Sequence, residues 1–326
     1  MSDLTTTQSA GSETPSRSAA AAHHPAPKEA VRMNKTRKGR RRSIGAVFVA
    51  PYAVFMLAFG VMPALYAIYL SVTDVDGGFT PTANFSKVID DFRFFSAARH
   101  VAFFLGIWLA ALLVLVVFLA IVVHAIRARW LSASARLFFY LPGALAGASS
   151  VMLWLFVLDP VASPAGPLLR AMGMDSFTNV IQPSHLPLIF AIIAFWTGAG
   201  GWIIVMYGAL NNISTEIMEA ARIDGANPVQ VAIHIQLPLL RKWIAYMAVL
   251  SLAAGTQLFV EPSLLSQASN AVVPNDYSLN QLAYQYAFDL NDFNGSAAIS
   301  VLLLIVALVL SAVFVTKGGL FETEDV

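Results

Sequence analysis

The sequence predicts an all-α integral membrane protein of six transmembrane helices, a bundle in which water is the wrong solvent for most of the chain. Of the 326 residues 57% are hydrophobic and only 12% charged, against about 25% charged in an ordinary soluble domain. Six apolar runs are each long enough to cross a bilayer, whose core of about 30 Å takes about 20 helical residues. The basic residues are distributed among the connections as six crossings require.

Residues 1–43 are rich in Ser, Thr, Ala and Pro and end in a run of Lys35, Arg37, Lys38, Arg40, Arg41 and Arg42. This composition predicts a disordered basic N-terminal tail. A basic cluster against an apolar stretch marks the cytoplasmic side of a membrane rather than a nucleic-acid surface. The first apolar run, 44–73, far exceeds the 7 to 15 residues of a signal-peptide core, so it is expected to stay as the first helix. The other spans are 100–123, 136–158, 186–210, 241–262 and 295–316. They are continuous rather than alternating, which excludes a barrel. Residues 317–326 form a short C-terminal tail, leaving 44–316 as the membrane domain.

Sixteen of the 20 Lys and Arg fall on one side: nine in the tail, Arg127, Arg129 and Arg136 after the second span, Arg222, Arg241 and Lys242 after the fourth, and Lys317. The other side holds Lys87, Arg93, Arg99 and Arg170. Both termini are therefore expected in the cytoplasm. Several spans contain helix breakers: Pro51 and Pro63 in the first, Pro142, Gly143 and Gly147 in the third, and Gly198, Gly200, Gly201 and Gly208 in the fourth. These residues predict either close packing through small side chains or helices that bend during transport.

The connection 211–240 carries the functional argument. Ser214 is placed to cap a short helix through Glu219, Ala220, Ala221, Arg222 and Ile223, which Asp224 and Gly225 end. Gly225 suits the left-handed position after a helix, where a side chain adds about 1–2 kcal/mol of strain. Asn227 caps a second helix with Pro228 at its first position, and Pro238 is expected to end it. Val229, Val231, Ile233 and Ile235 make this helix too apolar to remain wet, so it must dock either under its own bundle or onto another protein.

Glu219, Ala220 and Ala221, then Gly225, Ile235, Leu237 and Pro238 are seven positions over twenty residues that resemble the EAA loop of binding-protein-dependent ABC transporter permeases. Arg222 to Ala226 further resembles the carbohydrate-importer branch, which includes the maltose and glycerol phosphate permeases. The likeness extends over about 44–316, including Pro142 and Gly166, Pro167 and Leu168. Ser214 stands where the family often has proline, and Ser266 to Asn275 replaces a glycine-rich turn.

The resemblance implies a type I importer permease in a prokaryotic inner or plasma membrane. Its partners are a second permease, two ATPase subunits that hold ATP and Mg2+, and an extracytoplasmic solute-binding protein that delivers a sugar or sugar-like solute. Asn227 to Ile235 form the surface docked on the ATPase, and Glu219 and Gly225 hold the two loop helices at their angle.

The chain carries no chemistry of its own that the sequence reveals. It has no cysteine and no Gly-x-x-x-x-Gly-Lys-Ser/Thr phosphate loop, so any ATP-driven motor is another polypeptide. His23, His24, His100, His124, His185 and His234 lack metal-ligand spacing, and Ser149 and Ser150 lack a nucleophile elbow. Neither a catalytic residue, a cofactor, a metal site nor a nucleic-acid partner is expected in the chain. An ion-coupled secondary transporter normally carries ionisable groups near the bilayer midplane, and no Asp, Glu, Lys or Arg lies near a span centre. A membrane scaffold without transport activity is the other alternative. A solute path needs hydrogen-bonding and ring groups in the spans, for which Trp196, Thr197, Ser251, Thr256 and Gln257 are the candidates. Each also has a plain structural reading as an interface aromatic or a hydroxyl bonded to its own helix.

Overall fold

The computed structural model describes residues 47–145, 147–269 and 272–317. The basic tail at 1–43 and the C-terminal residues 318–326 lie outside the described residues. Internal contacts divide the chain into two units at Met62 and Pro63. In the first unit, the described residues 47–62 are helical and include a π-turn at Leu57–Val61. Phe48, Tyr52, Phe55 and Phe59 are exposed there, and the rings of Phe55 and Phe59 stack one turn apart. Apolar side chains turned outward in this way suit lipid.

The described residues contain five helices long and apolar enough to cross a membrane: α1 (Val47–Ser71), α3 (Phe92–Ala125), α7 (Leu186–Asn211), α9 (Pro228–Gly255) and α12 (Phe293–Lys317). A bent pair is the candidate for a sixth span. α4 (Arg129–Tyr140) runs into a 3-10 turn at Leu141–Ala144, and α5 (Gly147–Val157) leaves at 101° to that first segment. Pro142 lacks the N–H a continuing helix needs, and Leu145 is extended. The third apolar run, expected as one helix over 136–158, is thus broken into two helices. α2 (Ala83–Ile89), α6 (Gly166–Ala171), α8 (Thr215–Ile223), α10 (Val260–Ala268) and α11 (Leu279–Phe288) are short helices in the connections.

Glycine behaves differently from proline in the fourth span. α7 runs unbroken through Gly198, Gly200, Gly201 and Gly208, because glycine keeps its backbone donor. Gly200 is there for space: a Cβ on it would overlap the carbonyl of Phe139 in α4. Of these four glycines Gly200 alone displays the close-packing reading; among the described residues nothing lies within 4 Å of a Cβ built on Gly198, Gly201 or Gly208.

Two spans depart from the sequence boundaries. α3 begins at Phe92 rather than 100, since Asp91 caps it, its side chain accepting from the Arg93 N–H, while the polar first turns hid its start. The fifth span is shifted more, running as a helix from Pro228 to Gly255 instead of 241–262. Pro238 does not end the loop helix. A π-turn at Ala232–Gln236, in which the Leu237 N–H donates to the Ala232 carbonyl, lets the chain pass through the proline still helical. The break comes instead after Gly255, and α10 then packs on α5.

In the second unit one core runs through α3, α5, α7 and α9, centred on Phe104, Leu112, Phe190, Ile203, Met206 and Met247. A smaller core joins α2, the start of α3, α11 and α12 through Val88, Ala97, Leu282, Tyr286 and Ile299. The last carbonyls of α1 have no helical partner, and two amides supply one: Nδ2 of Asn84 donates to Ser71 and Thr73, and Nδ2 of Asn294 to Leu70 and Thr73 at 2.7–3.0 Å.

Candidate functional site

The 211–240 loop is built from two capped helices around one glycine. Ser214 is the N-cap of α8, its Oγ accepting from the Ile217 N–H, and Glu216 sits in the first turn, where the helix dipole favours a negative charge. At the other end Ala226 N–H donates to the Ala221 carbonyl at 2.9 Å and Gly225 N–H to Arg222 at 3.1 Å. This paired closure requires a left-handed residue, and Gly225 has φ +78°. α9 starts two residues later on a reciprocal cap. The Gln230 N–H donates to Asn227 Oδ1 at 2.9 Å, and the Asn227 N–H donates to Gln230 Oε1 at 2.8 Å, with Pro228 at the first helical position.

These bonds fix which side chains point out. Val229 and Ile233, one turn apart on α9, are 65% and 53% exposed and form an apolar ridge, and Ile223 at the end of α8 is 86% exposed. Ala221 and Val231 are turned into the chain and buried, and Ile235 is half-buried. Ala220 and Pro238 are exposed, and Leu237 partly so. Asp224, Gly225, Ala226, Gln230, His234 and Ile235 line a groove of ≈340 Å³ beside the ridge. The Glu219 side chain is exposed and has no hydrogen-bond partner among the described residues. Glu219 instead faces a second hollow, of ≈260 Å³, with His124, Asn211, Arg222 and the buried Gln236.

The residues proposed for a solute path separate into two groups. Thr256 and Gln257 line a groove of ≈610 Å³ between α9, α11 and α12, together with Asn280, Tyr284, Ser296 and Ser300. The Thr256 hydroxyl is used within its own helix, donating to Ala253, while its carbonyl accepts from Asn280 Nδ2 at 3.0 Å. Gln257 is exposed. The other three do not line this groove. Thr197 donates to Ile193 and Ala194 in α7, Trp196 packs edge-on against Trp154 at 5.8 Å, and Ser251 is buried with its Oγ unpaired. Among the described residues no group of His, Asp, Glu or Cys is arranged to hold a metal ion.

The family model described as binding-protein-dependent transport system inner membrane component matches residues 104–317, taking in α7, the whole loop and α9. The chain belongs to this family. It is therefore a permease component of a transport system and spans the membrane several times. The arabinooligosaccharides transport system permease protein AraP of Halalkalibacterium halodurans is 24% identical over 86% of this chain and 89% of its own. The sn-glycerol-3-phosphate transport system permease protein UgpA of Escherichia coli O6:K15:H31 is 28% identical over 84% of this chain and 93% of its own. A crystal structure of a bacterial ABC transporter that imports the acidic polysaccharide alginate shares the fold. Its TM-score is 0.75 at 19% identity, covering 87% of this chain and 98% of the other.

Sequence reasoning about this permease found the caps at Ser214 and Asn227 and the left-handed Gly225. It missed Gln230 as the second half of a reciprocal cap, although the Asn-x-x-Gln spacing signals one. It also missed Asn280, Tyr284, Ser296 and Ser300, since nothing in the order of residues says that α11 and α12 close on the end of α9.

Proposed function

We propose that this permease is one membrane half of an ATP-driven importer of a sugar-like solute. In this reading it lies in a prokaryotic inner or plasma membrane with both termini and the 211–240 loop in the cytoplasm. It pairs with a second permease, accepts solute from an extracytoplasmic binding protein, and is driven by two ATPase subunits that hold the ATP and Mg2+. The charge bias of the connections supports the orientation, and the permeases AraP and UgpA support a carbohydrate or polyol cargo.

The observation that carries the reading is the exposed ridge of Val229 and Ile233, with Ile223 also exposed, on a loop whose backbone is tied by caps at both helix starts. Covering each such side chain is worth about 1.5–3 kcal/mol, so the ridge favours a partner. Closure of the ATPase dimer pulls on that ridge, and because α9 is one helix from Pro228 to Gly255, the pull reaches the solute groove at Thr256 directly. The docked face is thereby narrower than the stretch Asn227 to Ile235: Val231 serves the chain's own packing, and Val229 and Ile233 serve the partner.

Ile233→Glu tests this. ATP-dependent uptake by the reconstituted transporter is expected to fall more than tenfold, and copurification of the ATPase subunits to be lost, while the permease itself elutes as the wild type does. Unchanged uptake and recruitment would overturn the proposal.

A further inference from the structure

A second cavity, of ≈500 Å³, opens between α10 and α11 beside the groove already described, and Phe259 and Tyr284 line both. Its volume lies within the range of about 300–1,000 Å³ usual for small-molecule sites. The polar groups that line it are amides and hydroxyls, Ser263, Gln267, Asn275, Gln281, Tyr284 and Gln285, together with the Asp289 carboxylate; Asn275 Oδ1 is taken by the Ser266 hydroxyl. Their bonding state is what matters. Gln281 Oε1 is taken by the Ser278 N–H at 3.1 Å, and Gln285 Oε1 accepts from Arg93 Nη1 at 3.1 Å. Both side-chain NH2 groups are left as donors. Among the described residues the side chains of Ser263, Gln267, Tyr284 and Asp289 have no hydrogen-bond partner. The cavity therefore offers donors, acceptors and groups that are both, which is what a ring of hydroxyls needs. Tyr284, tilted against Phe259 at 5.7 Å and Phe288 at 4.7 Å, adds an aromatic wall for the C–H face of a sugar.

The charges point the same way. Among the described residues no Lys or Arg lines the cavity. Arg93, behind Gln285, is engaged by Asp91 at 2.7 Å, and Lys87 by Asp292 at 2.6 Å. An anionic solute entering here exchanges water for amides and meets the Asp289 carboxylate, with no cation to offset its desolvation. We infer that this cavity is a subsite for uncharged, polyhydroxylated solute on the route through the permease, and that it discriminates against carboxylated or phosphorylated ones. The inference rests on the importer reading above and specifies its substrate class.

The test uses the whole transporter, copurified with its partner permease and ATPase subunits in nanodiscs and without the binding protein, so that the binding protein's own selectivity plays no part. Saturation-transfer NMR is recorded with three probes: arabinotriose, a mannuronate trisaccharide and glycerol 3-phosphate. Arabinotriose is expected to receive saturation and the two anions to receive at least fivefold less. Gln267→Ala with Tyr284→Ala is expected to cut the arabinotriose signal at least fivefold, with copurification of the ATPase subunits as the control for folding. Asp289→Lys is expected to raise the mannuronate signal. Equal signals from neutral and charged probes, no signal from arabinotriose, or a signal indifferent to these substitutions would each overturn the inference. A transporter that moves solute with ATP yet fails this test leaves the importer reading standing, and one that moves no solute at all removes that reading first.

Discussion

The 211–240 loop and the 256–292 segment both join apolar spans, yet the loop's helices are closed by bonds between near neighbours, whereas the segment adds to its own cap at Ser278 and Gln281 bonds to residues far earlier in the chain. In the loop the decisive contacts are Asn227 with Gln230, Ser214 with Ile217 and Ala226 with Ala221. In the segment they are Arg93 with Gln285, Tyr286 with Asp91 and Lys87 with Asp292. A locally closed motif keeps its shape whatever the surrounding helices do, which is what a lever gripped by a motor requires. A segment pinned to α2 and the start of α3 changes shape when those helices move, which suits a solute site that must open and close.

Four substitutions or conditions separate the two regions, in falling order of effect. Ile233→Glu, with its loss of recruitment and uptake, is the largest. Gly225→Val forces a branched side chain into φ +78°. The strain of at least about 1–2 kcal/mol is expected to weaken ATPase recruitment about tenfold in pull-down titrations while leaving solute binding in the cavity between α10 and α11 unaltered. Asn227→Ala removes one half of the reciprocal cap, worth about 1 kcal/mol, and is expected to reduce recruitment about fivefold; Asn227→Asp should restore most of it. If either loop variant disturbs arabinotriose binding as strongly as it disturbs recruitment, the two regions are not separable.

The smallest effect at neutral pH concerns the clasp on the segment. The Arg93 guanidinium hydrogen-bonded to Asp91 holds that carboxyl at about 2, below its ordinary 3.8, with the Tyr286 hydroxyl also donating to it at 2.9 Å. A carboxyl whose folded value is depressed stabilises the fold above its unfolded value and loses that contribution as the pH falls. The clasp is therefore complete at neutral pH and is expected to weaken only between about pH 4 and 2. Thermal unfolding followed by Trp fluorescence across that range should show a steeper loss for the wild type than for Asp91→Asn, while loop variants keep the wild-type slope.

The same division explains what was legible beforehand. The spans were readable because an apolar run of bilayer length admits one explanation, and α7 matches its expected limits to within a residue. The loop's caps were readable because Ser214, Gly225, Asn227 and Pro228 act within four or five residues of themselves. Pro238 misled because proline ends helices when the helix is regular, and here the π-turn before it absorbs the missing donor. The start of α3 misled because Arg93, Arg99 and His100 look foreign to a membrane span until their places at its end are seen. The cavity of Gln267, Gln281, Tyr284 and Gln285 had no signature, since its residues gain meaning only when α10 and α11 meet.

The account depends on the outward face of the loop helix being the face that the ATPase grips. The chain has no cysteine, so a single introduced one reports unambiguously. Ile233→Cys and Val231→Cys, each in the assembled transporter, are to be treated with a short thiol-to-amine crosslinker and resolved by mass. The account predicts a permease–ATPase adduct from the exposed position 233 and little or none from the buried position 231. An adduct of equal yield from both, or none from 233 in a complex that hydrolyses ATP, would contradict it.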